Sequence, residues 1–247
     1  MSINIVDVIL YSILALSVIS GMYKGFITSG LATVGFFAAW FGAFNLFPRI
    51  AQMALSNEYL MGSLSYYLDA SSLFKTASLG ATPVAQAISS TGTGSSLLNQ
   101  ALQELNLPTV IESAFKNNVS NQLFSSLGKT TLADYLGQTI WVAAINVISF
   151  LLIFAVCYVV VLLVVNLLNN VFRFPLLKHL DWVLGGVFGL VRGGFVVALL
   201  LGVAPLILSM LPFKEVQAIL DASTLARSLP SNFAVSTIVS MAFPVLS

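Results

Sequence analysis

The chain has 247 residues, of which 58% are hydrophobic and only 8% are charged, and its mean hydropathy is +0.97. A soluble domain carries about 25% charged residues, so this supply cannot cover a water-facing surface. Ten Lys and Arg residues balance nine Asp and Glu residues, which leaves no electrostatic basis for binding nucleic acid. We therefore predict an integral membrane protein whose main partner is the lipid bilayer.

Four stretches have the length of about 20 predominantly apolar residues that a bilayer crossing requires. Hydrocarbon offers no hydrogen-bond partners to the backbone, so each stretch is predicted to be a helix and the protein to be all-α. They form a first transmembrane hairpin within residues 1–47 and a second within residues 140–211. The four predicted spans are residues 3–22, 26–47, 140–168 and 183–211.

Residues 48–139, between the second and third spans, are rich in Ser, Thr, Asn and Gln. This segment is too long for a simple connection and predicts a small, partly helical insert. The tail, residues 212–247, carries one further amphipathic stretch at 213–229. Such helices either lie on the membrane surface or pack on one another. Within the insert, spaced apolar residues predict helices at 50–68, 84–105 and 110–127, the middle one interrupted by STGTGSS at 90–96.

Basic residues predict the orientation in the membrane. Lys24 lies in the turn between the first two spans, and Arg173 and Lys178 lie in the turn between the last two. Both turns are on one face, which is predicted to be cytoplasmic because cytoplasmic loops carry the excess of Lys and Arg. Both termini and the insert are then extracytoplasmic.

Residue types that support catalysis or metal binding are few. Cys157 and His179 are the only cysteine and the only histidine, so a disulfide or cysteine metal site within the chain is excluded. The stretch LGKTT at 127–131 ends like a phosphate-binding loop, but Leu123 stands where that loop requires glycine. We predict that the chain is not an enzyme and holds neither cofactor nor metal.

Glycines in the last span form a regular pattern. Gly185, Gly189 and Gly193 are four residues apart, so on a helix they form a groove that admits another backbone. The partner in this groove is either a helix of the same bundle, which we favour, or a second copy of the chain in a homo-oligomer.

Arg192 lies next to these glycines in the stretch GLVRGG. If the helix is continuous, Arg192 lies deep in the membrane, and Asp7, Asn146 or Tyr158 are its candidate partners. If the glycines break the helix, Arg192 lies at the interface and its side chain extends to the headgroups. A related stretch with Gly21, Lys24 and Gly25 favours the second interpretation, because both would then be turns of a parallel repeat.

The sequence resembles the colicin V production protein (CvpA) family of bacterial inner-membrane proteins at two motifs. The first is an apolar helix that begins with Asp7 and runs into Lys24-Gly25-Phe26, where the family usually has Arg-Gly-Phe. The second is DWVLGGVFGLVRGGF at 181–195, an Asp followed by a glycine-rich helix that ends in Arg-Gly. The motif and packing residues are Asp7, Gly21, Lys24, Gly25, Phe26, Asp181, Gly185, Gly186, Gly189, Arg192 and Gly193.

The resemblance implies a multi-pass accessory protein of the bacterial inner membrane. It implies support for production or export of a colicin V-type peptide toxin and for envelope homeostasis, together with unidentified export or envelope partners. Short members of the family join their second and third spans briefly, so residues 48–139 are a departure. The alternative function is a small oligomeric transporter or channel subunit, in which Asp7, Arg192 and the glycine turns line a path.

Overall fold

The computed structural model of the protein describes residues 5–89, 94–105, 107, 109–171 and 178–210. Within these residues every regular element is helical, which confirms the all-α prediction. Two 3₁₀ turns occur at Ala70–Leu73 and Ser125–Leu127. The α-helices are α1 (Ile5–Leu55), α2 (Glu58–Tyr67), α3 (Ala77–Gly80), α4 (Val84–Ala87), α5 (Gly94–Leu105), α6 (Thr109–Ser120), α7 (Leu132–Val171) and α8 (Lys178–Met210).

The described residues divide into two compact units. The first unit contains residues 5–47 and 150–204, and the second contains residues 48–149 and 205–210, apart from the gaps given above. The predicted tail helix at 213–229 and the turn residue Arg173 lie outside the described residues.

Helix α1 is divided by one residue whose backbone is not helical. Gly25 has φ 78° and ψ 173°, a conformation that glycine adopts readily because it has no Cβ. We call residues 5–24 the first arm and residues 26–55 the second arm. The break falls between the first and second spans predicted from the sequence.

The first arm runs antiparallel to α8. Gly21, near the end of this arm, faces Gly185 near the start of α8. Leu10, near the beginning of the arm, clusters with Val197 further along α8. As the chain advances along the first arm, its contacts therefore move backwards along α8.

The second arm runs parallel to α8. The Ser29 hydroxyl donates a hydrogen bond of 3.0 Å to the Gly185 carbonyl, and Phe37 packs edge-on against Phe195 with ring centroids 5.3 Å apart. Because the two arms run in opposite directions along the same helix, α1 is a helical hairpin that reverses at Gly25.

Helix α7 packs against the second arm in the antiparallel direction. Phe150 packs on Trp40, with ring centroids 4.8 Å apart, and Tyr158, two turns later, packs on Phe36 at 5.6 Å. These aromatic pairs are edge-to-face, the geometry that the ring quadrupole favours. The first arm, the second arm, α7 and α8 thus alternate in direction within the first unit.

The long helices are suited to a hydrocarbon environment. Among the described residues, three helices are long and apolar enough to cross a membrane, namely Ile5–Leu55, Leu132–Leu167 and Asp181–Ala204. The reversal at Gly25 gives the first of them two apolar segments. Leu16, Phe41 and Leu163 on these helices are each at least 60% exposed. Soluble monomers rarely expose apolar surface on this scale, whereas a bilayer would cover it.

The second unit has its own hydrophobic core. Helices α5, α6 and the start of α7 contribute side chains to it, and Asn118 within it donates a 2.9 Å hydrogen bond to the Thr139 hydroxyl. Its residues without solvent exposure include Ala101, Ile111, Phe115, Val119, Phe124, Leu132, Leu136 and Ile140. Residues 48–139 therefore contain packed helices rather than an extended connection.

The helices of this segment are shorter than the sequence predicted. The predicted helix at 50–68 is two helices, because α1 continues to Leu55 and α2 begins at Glu58. Asn57 causes the restart, since its side chain accepts a 3.0 Å hydrogen bond from the Leu60 amide and so caps the new helix. The predicted stretch at 84–105 contains α4 and α5, and the one at 110–127 contains α6 and the 3₁₀ turn at Ser125–Leu127.

Replacing Ile111 with Ala should destabilise the second unit by about 2–5 kcal/mol, because the side chain is fully buried and its loss leaves a cavity. Leu127 is 54% exposed and provides the control, for which the Ala substitution should change stability by less than about 0.5 kcal/mol. Thermal unfolding of the full chain in detergent measures both variants. Equal losses would contradict the core described here.

Candidate functional site at the Gly25–Asp181 junction

Asp181, near the start of α8, meets the point at which α1 reverses. Its carboxylate oxygen Oδ1 accepts a 2.7 Å hydrogen bond from the backbone amide of Phe26. Gly25 is buried, and a Cβ at that position would collide with the Asp181 carboxylate. The junction therefore requires glycine for two reasons, its positive φ and the contact with the carboxylate.

The hydrogen bond from Phe26 to Asp181 provides a partner for a backbone amide at the reversal. The first amides of a helix have no partner within it, and Phe26 is the first residue of the second arm. A carboxylate is the favoured partner at this end because it also interacts with the positive end of the helix dipole. Here the capping group comes from α8, so one contact caps the second arm and fixes α8 against it.

The glycine groove of α8 is filled by the first arm. A Cβ at Gly185 would collide with the Gly21 carbonyl, and one at Gly189 would collide with the Ser17 carbonyl. The Ser17 hydroxyl also donates a 2.7 Å hydrogen bond to the Gly189 carbonyl. Gly193 packs against the Ser17 side chain as well. Our preferred interpretation, a packing groove within one bundle, is the arrangement observed.

This packing bears on the alternative of a homo-oligomer. A second copy could use Gly185, Gly189 and Gly193 only by displacing the first arm, because that arm already occupies the groove. Gly186 faces the flexible side chain of Met22 rather than backbone.

The second arm contributes hydroxyl groups that the sequence analysis did not select. The Thr33 hydroxyl lies 3.3 Å from the Phe188 carbonyl and 2.8 Å from the Ser29 carbonyl, and Ser29 itself contacts α8. A signal for them was present in the sequence. Small residues recur every four positions through the hairpin, at Ser17, Gly21, Gly25, Ser29 and Thr33.

Arg192 lies in the middle of the apolar bundle. It is eleven residues after Asp181, which places it about 16 Å further along the helix axis. Its side chain is half-buried, and Nη1 donates a long hydrogen bond of 3.4 Å to the Tyr158 hydroxyl on α7. Tyr158 was one of three candidate partners named from the sequence.

The glycines around Arg192 do not break the helix. Helix α8 runs without interruption through Gly193 and Gly194, whereas Gly25 leaves helical geometry. The interpretation of the two glycine stretches as equivalent turns is therefore wrong. Gly25 ends a helix at the point where Asp181 accepts a hydrogen bond from the Phe26 amide, while Gly193 lies against Ser17 in a continuous helix.

The remaining motif residues are separated from the junction. Lys24 is exposed, one residue before the reversal. Asp7 is half-buried at the opposite end of the first arm, about 27 Å from Gly25 along the helix. The structure thus joins Gly21, Gly25, Phe26 and Asp181 to the glycines of α8 and leaves Asp7 elsewhere.

Among the described residues, no three His, Cys, Asp or Glu side chains are grouped so that they could hold a metal ion. The chemical capacity of the junction is structural, since its polar groups are engaged in capping and helix-to-helix hydrogen bonds. Arg192 and Tyr158 form a polar pair on α8 and α7, outside this junction.

Comparison with known proteins gives one match. A family model described as "Colicin V production protein" matches residues 6–102 and 122–233, which includes both motifs at the junction. It also covers most of residues 48–139, leaving 103–121 unmatched, so much of the segment that seemed a departure lies within the match. No curated protein and no solved structure matches the chain.

Gly189→Ala should lower the stability of the bundle by about 1–3 kcal/mol, because the added methyl group meets the backbone of the first arm. Gly194 is the matched control, since it lies in the same helix with open space where its Cβ would be. Gly194→Ala should be neutral or stabilise by up to about 1 kcal/mol through helix propensity. Thermal unfolding in detergent that ranked the two variants the other way would refute the packing.

Asp181→Ala should destabilise the bundle by about 0.5–2 kcal/mol, because the Phe26 amide loses its cap. Asp181→Asn keeps an acceptor oxygen and removes the charge, so its loss should be smaller. Unfolding of the full-length variants under the same conditions gives the comparison. Wild-type stability of the Ala variant would show that the carboxylate does not hold the reversal.

Proposed function

Because the chain belongs to the colicin V production protein family, we propose that it is a four-span protein of the bacterial inner membrane that supports production or export of a colicin V-type peptide toxin. In this proposal it also contributes to envelope homeostasis, acts with other export or envelope proteins and is not itself an enzyme. Membrane location and family membership are its premises; the role in export is the inference.

The observation that carries the proposal is the assembly of both family motifs into one structural junction. Gly25 and Phe26 come from the first motif and Asp181 from the second, and they meet through a hydrogen bond and a glycine contact. Motif residues that build a catalytic centre would converge on a cavity with reactive groups. These residues fix a helical bundle, which favours an accessory role over catalysis.

The alternating direction of the four apolar segments supports four spans. The junction at Gly25 and the start of α8 lie at one end of the first unit, and Lys24 is exposed beside it. The positive-inside rule assigns such an end to the cytoplasm. Both termini and the segment 48–139 are then extracytoplasmic.

A small oligomeric transporter or channel subunit is the second candidate function. The pair formed by Arg192 and Tyr158 favours it, because an ionisable side chain within a membrane bundle is costly and commonly serves function. This candidate predicts conductance or uptake in vesicles that contain the purified protein. The accessory role predicts neither.

Export of a colicin V-type peptide should be tested in bacteria that lack this protein and carry either the wild-type gene or a variant. Wild type should restore secreted toxin, and Arg192→Ala should reduce it to the level of cells without the protein at an unchanged membrane level. Tyr158→Phe removes only the hydroxyl that Arg192 contacts. Tyr11→Phe removes the same group at a position that is 56% exposed, and it serves as the control.

Toxin secretion that does not depend on the protein would refute the proposed role. Full secretion by Arg192→Ala at a normal protein level would remove Arg192 from the site and leave the accessory role in place. Loss of protein together with secretion would make Arg192 a structural residue. Flux in vesicles that Arg192→Ala abolishes would favour the transport candidate.

A further inference from the structure

Helices α2, α5 and α6 all fall between the second arm and α7 in the sequence. The side chains of α2 are less buried than those of α5 and α6. None of its residues, Glu58–Tyr67, is buried, whereas α5 and α6 bury Leu102 and Phe115. Three of its side chains are tyrosines that are almost completely exposed, with values of 86% for Tyr59, 87% for Tyr66 and 80% for Tyr67. No side chain of α2 is therefore buried in the core of the second unit.

The exposed tyrosines share one side of α2. At about 100° per residue, Tyr59, Tyr66 and Tyr67 fall within an arc of about 100°, and Leu60 adjoins it. We call these four residues the tyrosine face. Ser65 lies on the opposite side of the helix, and Glu58 is the only charged residue in α2.

The position of α2 in the chain indicates what covers this face. The second arm from residue 26 to Leu55 has 30 residues in a helix, which amounts to about 45 Å, the thickness of a bilayer with its headgroups. Only Ser56 and Asn57 separate its end from α2. In the four-span arrangement proposed above, α2 therefore follows directly, along the chain, on the extracytoplasmic end of the second span.

The chemistry of the tyrosine face fits the headgroup layer of a bilayer. Tyrosine is enriched at both membrane interfaces because its ring is apolar and its hydroxyl is polar. Exposed apolar side chains lead to α2 along the second arm, including Phe41 and, at 70% exposure, Met53. Glu58, the only charged residue of α2, lies outside the arc of the tyrosines, and a helix that turns aromatic side chains to the lipid can lie in the interface.

We propose that α2 is an interfacial helix and that its tyrosine face binds the lipid headgroup layer on the extracytoplasmic side. This inference rests on the four-span arrangement proposed above. The helix would then anchor the chain two residues after the second arm ends.

Spin labels on the full chain in lipid bilayers test this proposal. Cys157 is first replaced with Ala, because it is the only cysteine. Single cysteines then carry the label at Tyr59, Tyr67 and Ser65, all of which are exposed and outside the core. Collision with oxygen reports lipid, and collision with a water-soluble nickel complex reports solvent.

Two further positions calibrate the measurement. Val160, exposed on α7, represents the hydrocarbon, and Asn121, exposed in the second unit, represents water. Labels at Tyr59 and Tyr67 should favour oxygen over nickel relative to Asn121, with values between those at Asn121 and Val160. The label at Ser65 should resemble Asn121. The unlabelled parent protein provides the stability control for every variant.

Three outcomes would contradict the interfacial helix, and they separate it from the four-span arrangement. Nickel access at Tyr59 and Tyr67 equal to that at Asn121, with Val160 still in lipid, overturns the interfacial helix alone. Low access to both reagents at Tyr59 and Tyr67 means that protein covers the face and also overturns it. Water-like access at Val160 overturns the four-span arrangement together with this inference.

Discussion

The bundle depends on the contact between the Asp181 carboxylate and the start of the second arm. Reversal of a helix leaves the first backbone amides of the second arm without partners in that helix. The 2.7 Å hydrogen bond from the Phe26 amide meets this requirement from another helix. Because Gly25 has no Cβ, the carboxylate can approach the backbone, and both arms then lie along α8.

Close packing of backbones accounts for the rest of the first unit. Helices in a membrane gain little from hydrophobic burial, since lipid is as apolar as the side chains, and they associate through van der Waals contact and hydrogen bonds. Gly21, Gly185 and Gly189 provide the contact, and the hydroxyls of Ser17 and Ser29 reach carbonyls of α8. Each interhelical hydrogen bond contributes about 0.6 kcal/mol, so the stability of the bundle comes from several such bonds along α8.

Lys24 and Arg192 have similar neighbours in the sequence and different environments in the structure. Lys24 is exposed beside the reversal, where a cation can reach the headgroups. Arg192 lies in a continuous helix, α8, and contacts Tyr158 on α7. The first cation is therefore suited to orientation in the membrane, and the second remains available for function.

The sequence by itself determined the solvent of this protein and the approximate limits of its apolar helices. Composition and run length are sufficient for that, because 8% charged residues cannot cover a soluble surface. It also indicated a groove at Gly185, Gly189 and Gly193, because spacing alone places them on one side of a helix. Only the tertiary structure decided which glycine breaks a helix. Gly25 and Gly193 have similar neighbours along the chain, and the difference arises from Asp181, which is distant in sequence from Gly25 and caps the Phe26 amide beside it.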